Sequence, residues 1–125
     1  MKIRVYYEDT DAGGIVYHTN YIKYCERARS EAFFAQGLKP LEGDASGFVV
    51  SSLNAKFSSP AYLGDTLEVK TEMLALKKSY IVLLQQIYRD DTKIFSMEIR
   101  LAFVADGKIA RIPEKFISLL ESFSN

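Results

Sequence analysis

The chain has 125 residues, of which 48% are hydrophobic, so length and composition predict one globular domain with a substantial core. Sixteen basic and sixteen acidic residues cancel, and this balance argues against a general nucleic-acid-binding surface. The single cysteine excludes an internal disulfide framework and suits a reducing compartment.

The N-terminal third of the chain predicts a short strand, a turn and a long helix. Apolar and polar residues alternate over residues 3–8, as in a β-strand with one buried face. A turn with two acidic residues and two glycines follows. Apolar residues then recur at helical spacing from about Tyr21 to Gln36, and Gly37 marks the end of this helix. The predicted apolar stripe consists of Tyr21, Tyr24, Cys25, Ala28, Ala32 and Ala35.

The remainder of the chain predicts an antiparallel sheet. Residues 38–47 form a loop rich in glycine, proline and acidic residues. Four strand patterns follow, separated by turns at residues 60–65, 77–79 and 89–91, and a hairpin signal at residues 106–107 precedes a short final strand. Pro113 suits the first turn of a short C-terminal amphipathic helix. Consecutive strands with one early helix predict an α+β domain, in which a meander packs on the helix.

The stretch between the first strand and the helix carries the residues that suggest chemistry. It contains the carboxylates Asp9 and Asp11, two glycines, and His18, the only histidine of the chain. Thr19 and Asn20 follow and are residue types that cap helix starts. A carboxylate therefore comes close to a helix N-terminus. Free N–H groups there favour negative charge, including charge that develops on an oxygen during a reaction.

Plainer roles for these residues remain open on residue chemistry alone. Asp11 is equally well explained as a turn or capping residue, and we assign Asp9 a structural role in the turn. The two carboxylates with Gly14 partly resemble an EF-hand calcium loop, but Gly13 replaces the third side-chain ligand and Asn20 replaces the bidentate glutamate. A zinc site lacks support because the chain has one histidine and no cysteine pair.

The run of residues 7–18, followed by Asn20 and Tyr21, resembles the signature of hotdog-fold acyl-CoA thioesterases. The closest types are the YbgC (Tol-Pal-associated) and 4-hydroxybenzoyl-CoA thioesterases. Residues 57–65 are similar to a second segment of that family, and the likeness covers nearly the whole chain. It implies a hotdog fold, which is a curved antiparallel sheet wrapped around one long central helix. It also implies dimers formed by sheet edges, with active sites at the subunit interface. We expect residues 1–125 to be a single hotdog thioesterase domain that forms a homodimer or homotetramer.

The resemblance also implies roles for individual residues. Asp11 takes the position of the family's catalytic carboxylate, as general base or nucleophile, and the backbone N–H of His18 takes that of the oxyanion donor. Lys77 and Lys78, at a predicted hairpin, are expected to contact the CoA phosphates, although a solvated turn explains them as well. Tyr7 is as well explained by a core position as by contact with the acyl group. The expected substrate-binding residues are Tyr7, Gly14, Ile15, Val16, Tyr17, Lys77 and Lys78.

The predicted function is therefore hydrolysis of an acyl-CoA to a free acid and CoA, without a metal or a redox cofactor. By analogy with the family, an acyl carrier protein is a second substrate or partner. The alternatives are a hydroxyacyl thioester dehydratase, and a non-enzymatic acyl-thioester-binding or scaffold protein of a membrane-associated complex. The chain has no signal-peptide pattern and no apolar run of the ~20 residues that span a bilayer. We expect a cytoplasmic location, with peripheral contact to the inner membrane left open.

Overall fold

The computed structural model describes residues 1–43 and 45–124. Its elements, in chain order, are β1 (Lys2–Arg4), a 3-10 turn (Tyr7–Asp9), α1 (His18–Ala35), β2 (Leu41–Glu42), β3 (Ser46–Phe57), β4 (Thr66–Leu76), β5 (Tyr80–Arg89), β6 (Thr92–Ala105), β7 (Lys108–Ile109), a second 3-10 turn (Glu114–Phe116) and α2 (Ile117–Glu121).

The strands form one antiparallel sheet in the order β1-β4-β5-β6-β3-β2, and β7 pairs with the end of β6. Phe57 of β3 lies opposite Phe95 of β6, which lies opposite Ile87 of β5. The C-terminal ends of β3 and β5 therefore lie at one end of the sheet, and the turn between β4 and β5 lies at the other. This arrangement confirms the predicted α+β class.

The core lies between α1 and one face of the sheet. Along β5, β6 and the start of β4, alternate residues are buried and nearly all are apolar, because a strand directs alternate side chains to one face. The ring of Tyr21 stacks on Phe95 at 5.4 Å, and the ring of Phe33 lies 5.5 Å from Phe48. These two contacts show that α1 runs antiparallel to β3. The buried apolar strand residues are Phe48, Leu67, Val69, Ile81, Leu83, Ile87, Ile94, Phe95, Met97, Ile99, Leu101, Ala102 and Phe103.

The first strand is shorter than the alternation of residues 3–8 predicts. β1 ends at Arg4 because the chain then bends into the first 3-10 turn, where the Asp9 carboxylate accepts a hydrogen bond from the Tyr6 N–H at 2.9 Å. Tyr7 lies in this turn and is 81% exposed. The alternative in which Tyr7 is a core aromatic is therefore wrong.

Helix α1 begins at His18, before the predicted start, and its N-cap is Tyr17. Thr19 and Asn20 lie inside the first turn, so the prediction that they cap the helix is wrong. In the C-terminal half of α1, the buried face also differs from the predicted apolar stripe. Ala35 is exposed, because the sheet covers a line of helix positions that includes Arg29 and Phe33 instead. The buried helix residues are Tyr21, Tyr24, Cys25, Arg29 and Phe33.

Two further segments differ from expectation. The loop predicted at residues 38–47 contains β2, which pairs with the start of β3 through Leu41 and Gly47; Asp44, within this loop, lies outside the described residues. The C-terminal helix is split into a 3-10 turn and α2, and Pro113 precedes that turn rather than lying within it. In the described part of the chain, no helix combines the length and apolarity needed to cross a membrane.

Candidate active site

A tight turn presents the Asp11 carboxylate between the first 3-10 turn and α1. The Asp11 N–H donates to the Ile15 carbonyl at 2.9 Å, and the Gly14 N–H donates to the Asp11 carbonyl at 3.0 Å. Gly14 has φ +82°, a conformation that glycine adopts without steric cost. The Gly13 N–H donates to Asp11 Oδ1 at 2.7 Å. This bond orients the exposed carboxylate and leaves Oδ2 available.

Asp9 holds the turn together, as we predicted. Its carboxylate accepts the hydrogen bond from Tyr6, and its backbone carbonyl accepts two more. The Tyr17 N–H donates to that carbonyl at 2.9 Å, and the side-chain amide of Asn20 donates to it at 2.8 Å. Asp9 therefore connects the acidic turn to the first turn of α1, which sets the position of the helix start relative to Asp11.

The N-terminus of α1 provides an unused donor. The Asn20 N–H donates to the Tyr17 carbonyl at 2.9 Å, and no side chain caps the helix. The His18 N–H donates to no acceptor within residues 1–43 and 45–124. First-turn N–H groups carry the positive end of the helix dipole, so this donor favours an oxygen with negative charge.

Asp11 and His18 line one cleft with a volume of about 410 Å³. Residues 57–60 also line this cleft, and the neighbouring Ala61 carbonyl accepts a hydrogen bond from the Val16 N–H at 2.9 Å. The His18 ring lies edge-on to Phe57 at 6.2 Å. The structure thus brings together the two sequence segments that carried the resemblance. The remaining lining residues are Ile15, Val16, Tyr21, Phe57, Ser58, Ser59 and Pro60.

Sequence reasoning assigned Tyr21 to the core and missed its second position, at the cleft. The side chain is 4% exposed, yet it lines the cleft beside Asp11. Its hydroxyl oxygen accepts a hydrogen bond from the Ala61 N–H at 2.9 Å, and the hydroxyl hydrogen has no acceptor among the described residues. Burial raises the pKa of the phenol, and the nearby Asp11 carboxylate adds to that rise. Tyr21 is therefore a protonated donor at neutral pH. The one sequence feature that could have indicated this position is the spacing of Tyr21, which follows His18 by about one helical turn.

Five of the predicted substrate-binding residues do not line the cleft. Tyr7, Gly14 and Tyr17 belong to the surrounding turns, and the Tyr17 side chain is 46% exposed. Lys77 and Lys78 lie in the turn between β4 and β5. The sheet register places this turn at least roughly 24 Å from the cleft end, at about 3.4 Å per residue. Within one chain the two lysines are not brought to Asp11 and His18.

Other nucleophiles and ligands have less support from the geometry. Cys25 is 0% exposed, and burial raises the pKa of its thiol to about 12, so the reactive thiolate is suppressed. Across residues 1–43 and 45–124, no group of three or more His, Cys, Asp or Glu side chains is placed to share a metal ion. Asp11 is the acidic side chain of the cleft lining.

Comparison with known proteins gives consistent matches. A family model described as the Thioesterase superfamily matches residues 13–96. The chain is 44% identical over 133 residues to an acyl-CoA thioesterase YbgC from Helicobacter pylori, covering 98% of this chain and 99% of that protein. A crystal structure of a hypothetical protein from Aquifex aeolicus superposes with a TM-score of 0.89 at 25% identity, covering 96% and 97% of the two chains. A thioesterase from Thermus thermophilus, complexed with coenzyme A and Zn, has a TM-score of 0.81 at 20% identity, with 98% and 92% covered.

Proposed function

The chain belongs to the Thioesterase superfamily, and from that premise we propose that it hydrolyses an acyl-CoA with Asp11 and the N-terminus of α1 as its catalytic groups. Membership of the family confirms the resemblance, the hotdog fold and a thioester hydrolase activity. The observation that carries the proposal is the presence of the Asp11 carboxylate and the unused His18 N–H in one cleft.

In the proposed reaction the thioester carbonyl oxygen accepts a hydrogen bond from the His18 N–H. Negative charge develops on this oxygen when the carbonyl carbon is attacked, and a donor already in place stabilises that charge. Asp11 either removes a proton from the attacking water or attacks the carbon itself through the free Oδ2. Attack by Asp11 forms an acyl-carboxylate anhydride that water then hydrolyses. In both routes the C–S bond breaks and the CoA sulfur leaves as a thiolate that takes up a proton.

Tyr21 supports this arrangement as a positioning residue. The Ala61 N–H fixes the hydroxyl oxygen of Tyr21. The hydroxyl hydrogen is therefore donated from a fixed position. The stacking of its ring on Phe95 further limits its motion. A proton donor at this place can hold the attacking water or the Asp11 carboxylate in one orientation.

The acyl group packs, in this proposal, against the apolar lining residues Ile15, Val16 and Phe57. The CoA phosphates lie at the far end of the pantetheine arm from the thioester, so their contacts are expected away from the cleft. We retain Lys77 and Lys78 as proposed phosphate contacts on that ground. An acyl carrier protein remains a proposed second substrate, since it presents the same type of arm.

The proposal is tested by measuring free thiol released from a panel of acyl-CoAs by the wild type and by Asp11→Asn. Asparagine keeps an oxygen for the Gly13 N–H but cannot act as a base or a nucleophile. We expect kcat to fall about 10²–10⁴-fold with a similar KM, because the interaction is made mainly in the transition state.

Asp9→Asn is the matched control, because it changes a carboxylate two residues away that serves the turn. It should lower the melting temperature more than it lowers kcat of the folded enzyme. A folded Asp11→Asn variant with near-normal turnover would show that the proposed mechanism is wrong. Acyl-CoA binding by the wild type without thiol release from any panel member would contradict the proposed reaction.

A further inference from the structure

Arg29 is a buried charge that forms no ion pair with another described residue. Its side chain is 8% exposed, and its Nη1 donates to Gln85 Oε1 at 3.2 Å. The Gln85 amide is itself fixed, because its Nε2 donates to the Cys25 carbonyl at 2.9 Å and to Thr71 Oγ1 at 3.1 Å. None of the ion pairs between described residues includes Arg29. A buried charge without an ion pair is costly, and the nearby Glu26 carboxylate is exposed, so the burial of this guanidinium indicates a further function.

The guanidinium borders a cavity of about 310 Å³ between the C-terminal half of α1 and the start of β3. Small-ligand sites have volumes of roughly 300–1,000 Å³, so this cavity is at the lower end of that range. It is separate from the catalytic cleft, because Arg29 lies roughly 16 Å along the helix from His18 at about 1.5 Å per residue. Its apolar walls are Phe33, Pro40, Leu41, Phe48, Val50 and Leu101.

The cation in the lining of this cavity is Arg29. The other charged residue of the lining is Glu26, which is exposed and accepts a hydrogen bond from the Ser30 hydroxyl at 2.5 Å. Water and salt screen an exposed carboxylate much more than they screen a buried guanidinium. A ligand that reaches Arg29 therefore meets a cation with unused donors, and it has apolar side chains around the rest of its surface.

We propose that this cavity binds a small carboxylate with an apolar body, such as a medium-chain fatty acid. The carboxylate would pair with the free donors of Arg29, since a guanidinium fork matches the two carboxylate oxygens. The chain of the ligand would pack against Phe33, Phe48 and the neighbouring aliphatic walls. This second site is independent of the proposed reaction, although the acid that the reaction releases belongs to the same chemical class.

Calorimetric titration with octanoate tests the proposal, with octanol as the uncharged ligand of equal length. We expect one saturable octanoate site per chain and much weaker binding of octanol. Arg29→Met should weaken octanoate binding at least about tenfold, because a hydrogen-bonded charge contact is lost. Glu26→Gln should strengthen it about two- to fivefold, since an exposed repulsive charge is removed. Ile15→Glu, which adds a carboxylate to the catalytic cleft, should leave it unchanged, because that charge would repel only an octanoate bound in the cleft.

Equal binding of octanoate and octanol, or octanoate binding that is lost in Ile15→Glu but kept in Arg29→Met, would overturn the proposal. If Arg29→Met fails to fold, Glu26→Gln decides, because unchanged affinity in that surface variant excludes an anion at Arg29. Sedimentation gives a further check: a smaller assembly in Arg29→Met, without octanoate binding by the wild type, would mean that Arg29 pairs with a second copy of the chain.

Discussion

Tyr21 serves the core and the cleft with different parts of one side chain. Its ring packs between Phe95 and Phe57, at 5.4 and 5.7 Å, while its hydroxyl bonds to the Ala61 N–H and faces the cleft beside Asp11. Packing of the ring fixes the hydroxyl more firmly than a surface residue would be fixed. Rigid support of this kind is what a catalytic hydrogen bond requires.

Replacing Tyr21 by phenylalanine should separate these two contributions. The ring packing remains, but the Ala61 N–H loses its acceptor, so stability should fall by about 1–3 kcal/mol. We also expect kcat of the folded variant to fall roughly 10- to 100-fold with little change in KM, as for loss of a hydrogen bond to a charged group. Steady-state kinetics and melting temperatures provide both measurements.

Tyr24→Phe is the matched control for this change. Tyr24 is also buried, and it lies on the same helix, but it does not line the cleft. Its replacement should leave kcat close to that of the wild type. If Tyr21→Phe loses stability but turns over at the wild-type rate, Tyr21 is a core residue and has no positioning role.

Among the elements, α1 carries the proposed oxyanion donor, which is a backbone group at its N-terminus. Tyr17, the N-cap, has φ −62° and ψ 133°, and His18 is the first helical residue with an unused N–H. Proline is well tolerated at the first helical position, and the residue before a proline favours the extended conformation that Tyr17 already has. The N–H can therefore be removed by mutation without a change in the path of the chain.

We predict that His18→Pro lowers kcat about 10²–10³-fold, the usual effect of removing one oxyanion donor. His18→Ala keeps the N–H and should cost less than either His18→Pro or Asp11→Asn. Circular dichroism and melting curves establish that both variants are folded before kcat is compared. Equal losses in the two His18 variants would assign the role to the imidazole instead of the backbone.

At the scale of the whole molecule, β3 is a long edge strand with apolar residues on it. β2 covers only the first residues of β3, and the described chain provides no other partner along its outer edge. Val50, Leu53 and Phe57 are 49%, 42% and 48% exposed. Unpaired backbone groups next to exposed apolar side chains are features of a surface that meets another chain.

We predict a homodimer or larger assembly through this edge, and Leu53→Lys should shift the chain toward monomer because it introduces a charge there. Activity should fall with it if the site is shared between subunits, as the resemblance implies. Leu74→Lys is the control, since Leu74 is 46% exposed at an irregularity of β4, away from β3. Sedimentation at micromolar concentration measures the outcome; a monomeric wild type with full activity would contradict both the assembly and the shared site.

Features that depend on local residue spacing could be predicted before the fold was known. Alternation of apolar and polar residues predicted strands where β4 and β6 lie, because strand geometry places every second side chain on one side. The order of Asp11, the two glycines and His18 placed a carboxylate beside a helix start. The structure has this same juxtaposition, since only a short tight turn separates the two groups.

Contacts between residues from distant segments could not be predicted in this way, because they depend on the complete fold. The apolar stripe predicted from helical spacing did not include Arg29. This side chain is buried where it donates a hydrogen bond to Gln85 of β5. Tyr21 lies at the cleft because the tertiary fold brings Ala61 and Phe57 into contact with it. The distance of Lys77 from the cleft likewise follows from strand register. These relations depend on contacts between residues far apart in the chain, and local periodicity carries no information about such contacts.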